Sequence, residues 1–266
     1  MPVYWFALSQ VPSVNFKDAI VVFCILHVLV YPASNGYNSY MDRDSSPIGG
    51  LRNPMMPTRQ LFNVTVFMDI AAIGLGLFIS ALFAAGIVFY ILASRAYSFR
   101  KIRLKKYPVI GYLTVIIFQG AVTFFLVFHG CDAQHTIAVP VLAMIASSLL
   151  IGGFYPLTQI YQHDEDYNDG VITISYLLGY KGTFLFTGIV YALAFLTLAE
   201  YFYVKASFVS FLILQIFLLP VIVYFFVWFS KVVRNKEEAN FKNTMRMNLL
   251  ASVCTNLGFI FLLIIK

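Results

Sequence analysis

Charge is what this chain has least of. Only 11% of its 266 residues are Asp, Glu, Lys or Arg, while 60% are hydrophobic and 17% aromatic, at a mean hydropathy of +0.81. Soluble domains carry a charged fraction of about 25%, so this composition excludes one. The apolar runs are continuous, roughly 20 residues long and parted by short polar loops, which excludes the alternating pattern of a membrane β-barrel. Cysteine is nearly missing as well. Cys24, Cys131 and Cys254 are odd in number and scattered, so neither a disulfide framework nor a zinc site is implied. His27, His129, His135 and His163 show no paired metal spacing, although His163 lies inside an acidic run. No basic stretch precedes the apolar first residues, as a signal peptide would require. No repeated halves are visible. The net charge of +6 and pI of about 9.1 are accounted for by loop residues and give nucleic-acid binding no support.

The chain does hold a series of spans, expected at residues 18–37, 61–80, 81–94, 108–128, 138–161, 183–203, 208–232 and 247–265. The stretch 61–94 must be two helices in a tight hairpin. At about 1.5 Å per residue one helix of that length would far exceed a hydrocarbon core of roughly 30 Å. Gly74, Gly76 and Gly86 are expected to soften the turn region. Residues 1–14 are too short to cross; they read as the back half of a helix that begins upstream, or else as an interfacial segment anchored by Tyr4 and Trp5. The expected fold is all-α: a polytopic transmembrane helical bundle of eight full spans plus a partial first helix, forming one domain over residues 1–266.

Fifteen of the 18 Lys and Arg fall in alternate loops, which the positive-inside rule assigns to the cytoplasm. Six of those fifteen lie between Arg95 and Lys106, and the run Arg100–Lys106 among them is suited to anionic headgroups or a diphosphate. On the same face lie two acidic runs, residues 38–44 and 162–169. They hold six of the 12 acids, a concentration that costs desolvation and repulsion unless something positive is bound. Asn38 and Asp42 are four apart, as are Gln162 and Asp166, with Asp169 three further on, so a helix would project each set from one face. Magnesium fits such oxygens, since it commonly takes one or two carboxylates and leaves substrate phosphates to complete its shell. A magnesium diphosphate would therefore mediate between acids and cations that face each other.

These residues resemble a known family. Asn38-Ser39-x-x-Asp42-x-x-x-Ser46 is similar to the Asn-Asp-x-x-Asp-x-x-x-Asp motif of the UbiA superfamily of membrane prenyltransferases. Gln162 and Asp166 stand at the two acidic positions of its second motif, and the run from Gly170 through Thr173 to Gly179 is similar to the family's continuation of that motif. Tyr97-Ser98 with Arg103-Leu104-Lys105 resembles one of its loops. Ser39, Ser46 and Gln162 depart from the pattern, standing where the family usually has acids.

The resemblance implies helices around a cavity, polar motifs at its cytoplasmic end and an apolar tunnel below. It also implies transfer of a prenyl group from an allylic polyprenyl diphosphate to a lipophilic acceptor with Mg2+, in a bacterial or archaeal cell membrane whose lipids surround it. On that reading Asn38, Asp42 and Asp166 are the first-choice metal ligands, with Asp44, Asp164 and Asp169 behind them. Arg100, Arg103 and Lys105 hold diphosphate, assisted by Arg43, and Tyr97 donates to a phosphate or fixes the loop. Asp69, inside a span, is either a proton acceptor facing the cavity or a carboxyl bonded to a neighbouring helix.

Two other classes compete. A transporter would place its site near the membrane midplane, with Gly152-Gly153 and Pro156 marking an unwound helix. A non-catalytic relative is supported only by the substituted motif positions. The acceptor's identity, the prenyl chain length and the oligomeric state are not legible.

Overall fold

The computed structural model describes residues 2–43 and 51–266. A short helix α1 (Pro2–Gln10) precedes eight helices long and apolar enough to cross a membrane: α2 (Phe16–Asp42), α3 (Arg59–Ile79), α4 (Ala81–Ser98), α5 (Pro108–Cys131), α6 (Val141–Gln159), α8 (Ile174–Val204), α9 (Phe208–Arg234) and α10 (Phe241–Ile264). Between α6 and α8 lies one further short helix, α7 (His163–Asn168). An isolated bridge joins Val14 to Asp132, and the described residues contain no extended strand. The chain is therefore an all-α integral membrane protein, with the eight spans where the hydropathy put them.

Helix α1 belongs to the bundle and not to an interface. Phe6 stacks on Phe259 of α10 with centroids 4.6 Å apart and meets Phe124 of α5 edge-on at 5.1 Å, while the Tyr4 hydroxyl donates to the Ala19 carbonyl at 2.7 Å. These aromatics join Phe83, Leu126 and Phe202 in the larger of two apolar cores. A smaller one gathers around Phe184, Phe225 and Trp228.

The hairpin expected within 61–94 is real, but its turn is not glycine. Ser80 is extended at φ −166°, and its hydroxyl accepts from the Phe83 amide at 2.9 Å, so a single residue ends α3 and caps α4. A serine oxygen that captures an orphan amide makes a sharper stop than loose backbone would. Gly74 and Gly76 lie within α3 and Gly86 within α4.

Alternating direction gathers unlike chemistry at the two ends. At one end Gln10 Oε1 accepts from Tyr201 at 2.9 Å and from Lys205 at 2.6 Å, and Lys266 donates to the Val11 carbonyl. That end holds Lys17, Lys205 and Lys266, the three cations outside the main basic set. The other end, here called the rim, receives the last turn of α2, the loop after α4, α7 and the first turn of α8.

Candidate functional site

Three segments build the rim. Helix α2 delivers Asn38 and Asp42 on its last two turns and stops at Arg43, whose left-handed backbone (φ 57°) donates to the Ser39 carbonyl at 3.0 Å. After α4 the chain turns through Arg103, also left-handed at φ 49°, into a tight 3₁₀ turn Leu104–Lys106. After α6, Gln162 opens α7; the Asp166 amide returns to the Gln162 carbonyl at 2.9 Å and the Asp169 amide to Glu165 at 3.0 Å. Gly170, at φ +70°, reverses the chain so that the Val171 amide reaches the Asp166 carbonyl at 2.8 Å, and Thr173 caps α8. A second positive φ, +66° at Gly179, kinks α8 one turn further on. A Cβ would be strained at both glycines.

The acids and cations touch without an intermediary. Lys105 Nζ lies 2.5 Å from Asp42 Oδ2, and Arg103 lies 3.6 Å from Asp42 Oδ1 while also pairing with Asp169. Arg100 is 3.4 Å from Asp169 and donates to the Met41 and Asp42 carbonyls at 2.7 and 3.2 Å. Lys and Arg side chains are long enough to reach the acids directly. Burial works to raise the Asp169 carboxyl, but Arg103, Arg100 and Lys105 outweigh it and hold it below the usual carboxylate range. Asp42 is the most enclosed acid of the set, its side chain 1% exposed, and its Oδ1 has no hydrogen-bond partner among the described residues.

Beneath this ladder lies a cavity of about 330 Å³. Asn38, Asp42, Lys105, Gln162, Glu165 and Asp166 line its mouth, and Tyr97 meets Tyr155 hydroxyl to hydroxyl in its wall. Ser98 fixes Asn38 by donating to its Oδ1 at 2.6 Å. The four-residue spacings thus do converge, whereas Asp169 turns away to Arg103. Asp164 and Arg43 are exposed and do not line the cavity, and Arg100 is engaged outside it. Asp44 and Ser46 lie outside the described residues.

Asp69 does not face the cavity. It pairs with Arg95 of α4, whose Nε donates at 2.9 Å, and Arg95 in turn reaches Thr65 at 3.3 Å and lies 3.9 Å over the Tyr37 ring. Nor is the space below the rim the apolar tunnel expected there. Ser34, Asn35, Ser94, Thr114, Gln119, Thr158 and Asn248 line it, and a second, apolar cavity of about 470 Å³ adjoins it, the two sharing Asn248. Asn35, Gln119 and Asn248 escaped the sequence reading; the available signal was an amide inside an otherwise apolar span. Among the described residues no three of His, Cys, Asp and Glu come together as a metal cage.

A buried polar knot ties α7 to α8. His163 Nε2 is 2.8 Å from Ser175 Oγ, Ser175 Oγ is 3.0 Å from Thr183 Oγ1, and the imidazole stacks on Tyr180 at 4.8 Å. Burial pushes His163 down to about 4, with the Asp164 charge opposing. A histidine that takes its proton less readily folded than unfolded loses stability wherever only the unfolded chain is protonated. Attachment of the acidic helix should be complete above about pH 6.5 and weaken as pH falls toward 4. The contribution of Asp169 disappears only below the ordinary carboxylate range, about 4. Melting curves across that range check this, and His163→Gln should flatten the upper step alone.

Helix α6 runs unbroken through Gly152, Gly153 and Pro156, so the unwound segment that a transporter reading requires is not there. Comparison with known proteins narrows the class. The sequence profile of the UbiA prenyltransferase family matches residues 1–250. Comparison with curated proteins gave no match. Among solved structures, the apo form of a UbiA homolog from Aeropyrum pernix K1 superimposes with a TM-score of 0.73 at 18% identity, covering 98% of this chain and 95% of that one. A digeranylgeranylglyceryl phosphate synthase gives 0.66 at 18% over 100% and 92%. A UbiA homolog from Archaeoglobus fulgidus bound to DMAPP and Mg2+ gives 0.65 at 16% over 97% and 93%.

Proposed function

This chain belongs to the UbiA prenyltransferase family, and from that premise we propose that it transfers a prenyl group from an allylic polyprenyl diphosphate to a lipophilic acceptor within the membrane, using Mg2+, its 266 residues acting as one domain. The observation that carries the reading is the position of Asp42. A carboxylate with a 1% exposed side chain and one oxygen lacking a hydrogen bond among the described residues sits where a polar cavity meets a cationic loop. An orphaned buried acceptor is costly unless a ligand completes it.

The residues present fit the ion. Asn38, Asp42 and Asp166 supply oxygens at the cavity mouth, with Gln162 as a neutral fourth, and magnesium needs no more than one or two carboxylates when phosphates fill its remaining positions. The ligands in the Archaeoglobus fulgidus relative support the same pairing of ion and diphosphate. When bound, magnesium would offset the negative charge that builds on the departing diphosphate. The chain's own part is electrostatic. Lys105, the cation lining the cavity, keeps donors to spare beyond its contact with Asp42, and Arg103 and Arg100 stand behind it. Preorganised cations of this kind stabilise a leaving group without any proton transfer. The ring faces of Tyr90 and Phe118 in the cavity tolerate the allylic cation left behind. The rim carries the excess of Lys and Arg, which favours a cytoplasmic site.

The prenyl tail is assigned to the apolar cavity shared at Asn248. Ala251→Phe narrows that cavity and should lower kcat/KM for geranylgeranyl diphosphate by about tenfold relative to geranyl diphosphate. Competition between the two donors measures the ratio.

The reading itself is tested by incubating the purified protein in lipid with labelled allylic diphosphates and Mg2+. Diphosphate release that stops on chelation is the expected result. Folded protein that releases none from any donor between geranyl and geranylgeranyl would overturn it.

A further inference from the structure

The proposed reaction needs a second substrate, and the cavity below the rim constrains its charge. Three carboxylates, Asp42, Glu165 and Asp166, line the space, and among the described lining residues the one cation is Lys105, already 2.5 Å from Asp42. Met1 and residues 44–50, which lie outside the description, contain no Lys or Arg. Among the described residues no guanidinium lines the cavity. Its deeper wall carries amides instead. At about 1.5 Å per residue, Asn35 lies roughly 10 Å below Asp42 along α2, Asn248 roughly 10 Å below the start of α10, and Gln119 roughly 16 Å below the start of α5. All three line the cavity, and none of their side-chain amides hydrogen-bonds to another described residue.

Gln119 also sits in a widened π turn, Ile117–Val122, an irregularity that recurs at functional sites. The next residue, Gly120, packs so tightly on α6 that a Cβ would lie 2.4 Å from Ser148 Cα, and Ser148 Oγ takes the Ala121 amide at 3.0 Å. The turn that carries Gln119 is thus fixed from outside the cavity.

Resting on the proposed prenyl transfer, we propose that the acceptor presents an uncharged hydrogen-bonding head, such as a phenol or quinol hydroxyl, read by Asn35, Gln119 and Asn248, and that acceptors bearing a carboxylate are rejected. A primary amide offers a donor and an acceptor together, which matches a hydroxyl that does both. A carboxylate at that depth would be stripped of water with no cation to receive it and would be repelled by the acids above it.

Binding tests this without turnover, so its failure is separable from failure of prenyl transfer. Methyl 4-hydroxybenzoate and 4-hydroxybenzoate share a ring and differ in charge. Titrated calorimetrically into the protein in micelles, with empty micelles subtracted, the ester should bind about 30-fold more tightly than the acid. Gln119→Leu and Asn248→Leu should each weaken the ester by about tenfold while melting within a few degrees of the parent. Equal or tighter binding of the acid would overturn the proposal. So would an ester affinity unchanged in both folded variants.

Discussion

Asp42→Asn is expected to reduce diphosphate release by about 10²–10³-fold, the effect typical of removing one preorganised electrostatic group from a reacting centre. Asparagine keeps the shape and one oxygen but removes the charge on which three things depend: the Lys105 contact at 2.5 Å, the Arg103 contact at 3.6 Å and the capacity to hold a cation at Oδ1. Lys105, about 10% exposed, would be left as an enclosed, uncompensated cation, while Arg103 would keep Asp169, and breaking such a pair costs roughly 3–5 kcal/mol. Two readouts report on this. The Mg2+ concentration for half-maximal release should rise, and the melting temperature should fall. Asp166→Asn should share the first effect. Full activity in both variants at ordinary Mg2+ would remove the ligand assignment.

Asp69→Leu should produce the largest loss of stability in the apolar part of the bundle while leaving the chemistry in place. Arg95 would lose its carboxylate and keep only the Tyr37 face and Thr65. One half of a buried ion pair is worse than none, and replacing both halves with apolar residues of similar volume is often neutral. The single variant should therefore melt well below the parent, and Asp69→Leu with Arg95→Met should recover most of the difference. Helix α4 carries Ser94, Tyr97 and Ser98 into the cavity wall, so the pair's role is to hold that face in register against α3. If the double variant folds normally and releases diphosphate but forms no prenylated product, Asp69 takes part in the reaction after all.

The bundle was legible because each span is a long apolar run whose ends are marked by charge. Hydropathy cannot see a single-residue stop, so the glycines drew attention away from Ser80, whose capping oxygen makes the α3–α4 turn. Residues 38, 42, 162 and 166 were legible through helical spacing, and all four line the cavity. Asp169 shows the limit of that argument. It is three residues from Asp166 but sits at the end of a six-residue helix, where the chain is already turning toward Gly170, and it meets Arg103 instead. Direct contact between acids and cations was hidden for a related reason: the left-handed turn at Arg103 folds the basic loop back over α2, and no periodicity encodes that. The amides at 35, 119 and 248 were readable in principle and lost among residues chosen by charge.

The decisive location is the cavity mouth where Asp42, Lys105 and Asp166 converge. A structure solved with geranylgeranyl S-thiolodiphosphate and Mg2+ tests it directly. The diphosphate is predicted at that mouth, within hydrogen-bonding reach of Lys105, with the ion on Asp42 and Asp166 and the tail toward Asn248. A diphosphate bound elsewhere on the protein, or an ion that touches neither carboxylate, would contradict it.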